Sequence, residues 1–581
     1  ASKVIVGIAI VASFLLLLLF VAAPVGPARV LGTASIVVLA GTSIVLFGSI
    51  ILSYAPLAAG YPGLLLPVIL WSVLCSLWND NHPIRTRPAD TPAGPWKRDE
   101  PGVHFKQWLT RARAQESRTE VRGVESRSAT ADRERYPIFI VAAAGGGIRA
   151  AYWTAALLGR AAEDVAKQNG GSGQVWRHHL YALSGVSGGS LGATVHVLEL
   201  AQLSSPAEYV QRSSAMLGSD HLSPVVSYML YPDLLQRFLP FPIRAFDRAR
   251  GLESSWQQSA DQHIAKDAFP GAFRALWKDG YYDLPALLLN STRVETGQRV
   301  IVSNLVIPTQ PAGAGSADKT PDFLDAVDLI GVAARQARSR PPLAPLRELD
   351  DIRVSSAVHL SARFTYVSPA ARVERTDGSL WGRLVDGGYF ENSGAATAAD
   401  LIRAVCPDWD DEKVCDKSDA ALEQVVPVVL LIKNDPQAPS LCDPYNGPAT
   451  VPRAPLTELK PPIDALLATR EARGRLAERA IVRLVEDNDR PSGDCSEGCV
   501  LELSLAPPGT GSNPAAGSIP PSSAQSPAHA FHDPPLGWSL SESSRKAMDD
   551  RLSDPDIHGQ LQCVADLASG HECNTARRCS P

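Results

Sequence analysis

Apolar positions are spread very unevenly along the chain. Val4–Ala23 is a run of twenty residues without a charge, the length a helix needs to cross roughly 30 Å of hydrocarbon. A second uncharged run covers Val30–Ala55 and a third Leu57–Trp78. The third carries Trp71 and Trp78 toward its end, where indole rings suit the headgroup layer. The pattern predicts three spanning helices, about 4–23, 30–55 and 57–78, in a membrane region of residues 1–81. A cleaved signal peptide would account for the first run alone, but that run is long for one and two more follow it.

From His82 to Tyr136 the composition turns to Pro, Arg, Glu, Ser and Thr. Too few large apolar residues are present for a core, so residues 82–136 read as a basic and polar linker. Within it, Phe105, Trp108, Leu109 and Ala112 fall at i, i+3, i+4 and i+7 beside Lys106, Arg111 and Arg113. That spacing suits a helix lying on a membrane surface and equally one packed on a soluble domain.

Residues 137–434 repeat a strand, a glycine turn and a helix. PIFIVAA leads through GGG into IRAAYWTAALLGRAAEDVAKQ, and HLYALSG leads through VSGG into SLGATVHVLELAQL. PALLLN, RVIVSNL and VPVVLLIK follow as strands buried on both faces. The expected class is α/β, with a mostly parallel central sheet covered by helices. The apolar, Pro-containing stretch between Pro224 and Phe246 could line an acyl-chain cleft, form a lid, or be a plain buried insertion. After Lys433 the sheet pattern stops. Residues 435–581 read as an appended extension, with an amphipathic helix over Ile463–Glu486 and a flexible Pro, Gly and Ser-rich stretch over Pro507–Pro535. No internal repeat is present at a solenoid or propeller period.

Composition changes this picture in three places. The chain has 581 residues, 55 Lys and Arg against 61 Asp and Glu, and a formal charge of −6. It lacks the basic surplus that binds a phosphate backbone, and nucleic acid is not an expected partner. Arg29 lies in the first predicted loop and Arg85, Arg87, Lys97 and Arg98 after the third span, whereas the second loop has no basic residue; by the positive-inside rule those sides face the cytoplasm. The cysteines point the other way. After Cys75 none occurs until Cys406, and then come Cys406, Cys415, Cys442, Cys495, Cys499, Cys563, Cys573 and Cys579, an even cluster that suggests disulfides and an oxidising compartment. Charge is given the greater weight. The expectation is an integral membrane protein whose soluble part is cytoplasmic, with an extracytoplasmic placement as the alternative. Zinc is a weak reading of Cys495 and Cys499, which have no second pair at ligand spacing.

Candidate chemistry centres on Gly185-Val186-Ser187-Gly188-Gly189, a G-x-S-x-G placed where a strand turns into a helix. Such an elbow projects the Ser187 hydroxyl from the sheet edge, and residues without a Cβ fit beside it. The N-terminus of the following helix offers the Gly188 N–H to an oxyanion. Upstream, Gly145-Gly146-Gly147 occupies another strand-to-helix turn, followed by Arg149, and can supply further N–H donors. A dinucleotide or phosphate cradle lacks its spacing and its Walker lysine here. Asp386 precedes Gly387 and Gly388 in RLVDGGYFENSG; a lone Asp-Gly is usually just a turn.

Together these motifs resemble the patatin-like phospholipase family of bacterial type with N-terminal transmembrane segments, over roughly Pro137–Asn434. The resemblance implies a three-layer α/β/α domain and a Ser-Asp dyad. Ser187 is the nucleophile and Asp386 the base. The oxyanion hole is drawn from Gly145, Gly146, Gly147 and Gly188, with Arg149, Gly185, Gly189, Gly387 and Gly388 in support. It implies hydrolysis of lipid acyl esters through an acyl-enzyme, with membrane lipid as substrate and neither metal nor other cofactor. Two positions depart from the family pattern: Ala144 stands before the glycines where an acidic residue is usual, and Ala150 stands after Arg149 in place of glycine. Rival readings are a Ser-His-Asp hydrolase using His529, His532 or His558, a catalytically silent lipid-binding or regulatory protein, and acyl transfer to an acceptor other than water.

Overall fold

The computed structural model describes residues 2–54, 57, 63–87, 98–122, 135–277, 282–308, 323–336, 344, 346–347, 349, 351–364, 366–441, 460–486, 495, 498–506 and 537–573. At the N-terminus, helix α1 (Ser2–Ala22) ends before Pro24 and Pro27, whose rings cannot continue a helix interior. Helix α2 (Thr33–Ser49) widens into π turns over Ile50–Tyr54, and α3 (Leu65–Cys75) follows. Among the described residues one helix, Thr33–Leu52, is long and apolar enough to cross a membrane; Val6–Ala22 and Leu65–Cys75 are shorter apolar helices. Within the third predicted span the described helix covers 11 residues, about 17 Å at 1.5 Å per residue against the roughly 30 Å a span requires. Residues 58–62 of that run lie outside the described residues.

Helix α4 (Pro101–Arg122) decides the reading of the 105–112 stripe. Phe105, Trp108, Leu109 and Ala112 are all buried, with the Phe105 ring 4.8 Å from that of Tyr181. The stripe faces the folded domain. Most of the rest of the expected linker, residues 88–97 and 123–134, lies outside the described residues.

The domain then alternates β1 (Tyr136–Ala143), α5 (Gly147–Gln168), β2 (Leu180–Val186) and α6 (Gly188–Gln202). Helices α7 (Leu222–Leu230) and α8 (Arg248–His263) precede β3 (Ala286–Arg293), β4 (Arg299–Ser303) and β5 (Ala326–Asp328). Next come α9 (Val354–Ser361), β6 (Ala371–Glu374), β7 (Leu380–Asp386), α10 (Ala395–Val405) and β8 (Val425–Lys433). Helix α11 (Lys460–Val485), β9 (Cys499–Ser504), α12 (Glu542–Leu552) and α13 (Pro555–Ala568) follow, and shorter helices such as Tyr209–Leu217 and Leu329–Gln336 lie between these elements. The sheet runs β5-β4-β3-β2-β1-β8-β9, with β7 joined to β3 and β6 to β7. The central pairings β3-β2, β2-β1, β1-β8 and β8-β9 are all parallel.

Alternation along β1 shows why its sequence is apolar throughout. Phe139, Val141 and Ala143 enter one core with α5 and α6, while Ile138, Ile140 and Ala142 enter a second with α4, α10 and α11. A strand covered on both faces has no polar side, and the fold is a mixed α/β architecture around a mostly parallel sheet.

Two segments differ from expectation. The sheet continues past Lys433: β9 pairs with β8 from Val428↔Cys499 to Lys433↔Ser504. Helices α12 and α13 dock on α5, with Tyr152 Oη donating to Asp549 Oδ1 at 2.9 Å and Gln168 Nε2 to Asp566 Oδ1 at 2.8 Å. The described parts of the extension therefore belong to the α/β core. The stretch expected to be flexible, 507–535, lies outside the described residues. The segment 224–246 forms the seat of the apolar helices. Phe20 meets Tyr231 edge-on at 5.2 Å, Tyr228 Oη donates to Val21 O at 3.4 Å, and Trp71 Nε1 donates to Phe238 O at 2.9 Å.

Among the described residues three disulfides join Cys406 to Cys415, Cys495 to Cys499, and Cys563 to Cys573, and Cys75 is free and buried. The close trio Cys495, Cys563 and Cys573 is drawn from two of these bonds. Cys442 and Cys579 lie outside the described residues.

Candidate active site

Ser187 stands between β2 and α6 at φ 52°, ψ −122°, a positive φ that a residue with a Cβ adopts at a cost of about 1–3 kcal/mol. Its surroundings hold it there. The Ser187 N–H donates to Ser361 Oγ at 3.0 Å, Ser361 Oγ donates to Asn290 O at 2.5 Å, and the Ser190 hydroxyl sits 2.7 Å from that of Ser361. At Gly188 a Cβ would collide with Gly147 O, and at Gly189 with Ala143 O. Both neighbours must be glycine because two strand-to-helix turns cross here at backbone contact.

Strand register brings Asp386 to the same place. Val186 pairs with Asn290 of β3 at the end of β2, and Asp386 pairs with the next residue, Ser291, at the end of β7. Because β4 occupies the opposite edge of β3 over the same residues, β2 and β7 share one edge and meet end to end. Asp386 Oδ1 accepts from Gly388 N at 2.8 Å, while Oδ2 is buried without a complete hydrogen bond. Burial pushes this carboxyl up to about 6; the Ser187 hydroxyl, the Gly388 N–H and the charge of Arg470 pull it down.

The loop Gly145–Gly147 lies against both. A Cβ on Gly145 would come within 3.1 Å of Ser187 Cβ. Its own N–H, however, donates to Asn392 O at 2.8 Å, which removes Gly145 from the expected donor set. The N–H groups of Gly146, Gly147 and Gly188 make no hydrogen bond among the described residues. Asn434 Nδ2 donates to Gly145 O at 2.9 Å and to Ala144 O at 3.2 Å, and buried Arg149 Nε donates to Asn434 Oδ1 at 3.3 Å. Gly387 opens the turn after Asp386 with Asn290 O where its Cβ would be, and Gly185 O accepts from Asn290 Nδ2 at 2.8 Å. The structure thus gathers every sequence-predicted site residue around Ser187.

Several residues here escaped sequence reasoning. Asn290 is held by Thr397 Oγ1 at 2.6 Å, and Thr397 accepts from Arg299 at 2.8 Å, so a buried polar chain fixes the floor of the site. Helix α11 covers the loop after Asp386. Its Gly474 lies so close to Glu391 and Asn392 that a Cβ there would be 3.6–3.7 Å from them, and Arg473 stacks on the Phe390 ring at 4.0 Å. Arg470, on the same helix, has a buried Nε with no hydrogen-bond partner among the described residues. None of these carries a local motif; polar residues at strand and helix ends were the one available signal.

The rival triad finds no support here. His529 and His532 lie outside the described residues, His558 is exposed on α13, and among the described residues no histidine bonds Ser187 or Asp386. Three buried histidines are committed elsewhere, His196 to Trp176, His221 to Ser255 and His359 to Glu253.

The sequence matches no family model and none of the curated proteins. Among solved structures the fold is similar to the human GIVD cytosolic phospholipase A2, at 12% sequence identity and a TM-score of 0.36, over 81% of this chain and 64% of that one. The chain thus spans less than two thirds of that protein's length.

Proposed function

We propose that this chain is a membrane-anchored lipid acyl hydrolase of the patatin-like type, a serine carboxylic-ester hydrolase using Ser187 and Asp386. The observation that carries the reading is the end-to-end meeting of β2 and β7, which sets a strained serine beside a buried carboxylate titrating near 6. A base of that strength is largely charged at neutral pH and still accepts a proton.

In this reading Ser187 Oγ attacks the ester carbonyl as its proton passes to Asp386. The N–H groups of Gly146, Gly147 and Gly188 receive the developing oxyanion. Such donors cost nothing to reorganise during the reaction. Collapse breaks the C–O bond and the leaving alcohol takes the proton from Asp386. Water, deprotonated by the same carboxylate, then attacks the acyl-enzyme and frees the acid and Ser187. Residues 137–434 with the docked extension form the catalytic unit in this scheme, and the apolar helices of residues 1–81 hold it at its substrate. The three disulfides favour the extracytoplasmic alternative over the cytoplasmic side indicated by charge.

The test is fluorophosphonate labelling of the detergent-solubilised protein beside Ser187→Ala, with fatty acid release from phospholipid vesicles followed in the same samples. Labelling and release that both vanish in the variant are expected. Absence of labelling in the folded parent protein would replace this reading with that of a lipid-binding protein.

A further inference from the structure

A second site lies away from Ser187. A cavity of about 570 Å³ opens between the N-terminal end of α8, the segment Pro83–Thr86 just after α3, the start of α9 and strand β6. Six arginines and three carboxylates line it. The carboxylates are already committed: Asp247 and Glu253 both to Arg85, at 2.7 Å each, and Glu374 to Arg347 and Arg372 at 3.3 and 2.9 Å. Arg244, Arg250 and Arg353 remain, with no ion pair or side-chain hydrogen bond among the described residues. Arg353 Nε is buried without a partner. An unpaired guanidinium in a walled cavity is costly unless an anion completes it.

The position of the cavity narrows the anion. Ser254 and Gln257 of α8 also line a neighbouring cavity of about 460 Å³ whose other wall is Ala23–Pro27, the segment that follows α1. Both cavities therefore sit where the apolar helices join the domain. The volume suits a small polar group, and planar guanidinium forks match the tetrahedral oxygens of phosphate.

We propose that this cavity binds a phosphate ester group through Arg244, Arg250 and Arg353, the nearest source being the headgroup of an anionic lipid. The site needs no turnover at Ser187. It touches the catalytic region through α9, which starts after Arg353 and ends at Ser361, the residue that fixes the Ser187 N–H.

The test uses full-length Ser187→Ala protein in neutral detergent, titrated calorimetrically with ether-linked phosphatidic acid, ether-linked phosphatidylcholine and sn-glycerol 3-phosphate. Saturable binding of phosphatidic acid is expected, weakened at least about tenfold in Arg250→Gln/Arg353→Gln and by several-fold in Arg244→Gln. Arg244 is exposed, so that change leaves the fold intact. Preference for phosphatidic acid over glycerol 3-phosphate would assign the site to a lipid headgroup; equal binding of the two, with the same arginine dependence, would assign it to a soluble phosphate ester. Unchanged affinity in both variants, or equal binding of phosphatidylcholine, would overturn the proposal.

Discussion

Asp386 is asked to be buried and charged at once, and its surroundings show how the conflict is settled. Desolvation favours the neutral carboxyl, while Gly388 N–H, the Ser187 hydroxyl and Arg470 favour the charged one. In the proposed mechanism Asp386 acts as base only when ionised, so kcat/KM is expected to rise with pH through a limb centred near 6. Removing the positive charge in Arg470→Gln raises the Asp386 pKa, and the limb should move to higher pH; a pH–rate profile that stays in place would remove Arg470 from the account. Asp386→Asn keeps the size of the side chain but cannot accept the proton. It should lower turnover about 10²- to 10⁴-fold with the thermal midpoint close to that of the parent. Ser187 stood out in the sequence because glycines flank it at a sharp turn, whereas Asp386, followed by Gly387 and Gly388, stood out only through the family resemblance. Arg470 did not, because in its own helix it reads as one more solvated charge and meets Asp386 only after α11 has docked.

Strand ends do much of the positioning. Asn434 immediately follows β8 and bonds the carbonyls of Ala144 and Gly145, so its amide sets the path of the glycine loop from the neighbouring strand. Asn434→Ala should reduce kcat about tenfold with a smaller change in KM, through loss of two hydrogen bonds each worth about 0.5–1.5 kcal/mol; steady-state kinetics on a soluble ester separate the two parameters. The order of strands and glycine turns from β1 to β8 was readable from runs of apolar residues of strand length. Strand β9 was hidden for a physical reason. CVLELS is six residues long, far in sequence from the rest of the sheet, and its Glu502 is satisfied by Lys433 at 3.0 Å. The runs of apolar composition gave the spans no internal boundaries: the third run passes through Pro62, and its described helix is Leu65–Cys75.

Across the whole molecule, the parts before and after the sheet are both structural. Arg29, in the short helix Gly26–Leu31 that follows α1, reaches Asp220 O, Ser255 and Ser259, and the final helices cover α5. A chain cut after Leu441 would expose one edge of β8 and the α5 face that receives α13, and is expected to be insoluble; a soluble, monomeric product by gel filtration would show that the extension is dispensable. The three disulfides give a matching test of compartment. Thiol labelling of intact cells with an impermeant maleimide, before and after an impermeant reductant, should gain signal only after reduction if the domain is extracytoplasmic.

The cover that α11 places over the loop after Asp386 has a consequence for biosynthesis. Ser187 and Asp386 leave the ribosome well before residues 460–486, and Gly537, whose carbonyl receives the Ile148 N–H beside the glycine loop, comes later still. A half-made chain carries both proposed catalytic residues without the elements that pack around them. On the proposed function, a nascent chain would gain activity only once these last described elements have been made, and chains truncated before Lys460 are expected to show no fluorophosphonate labelling.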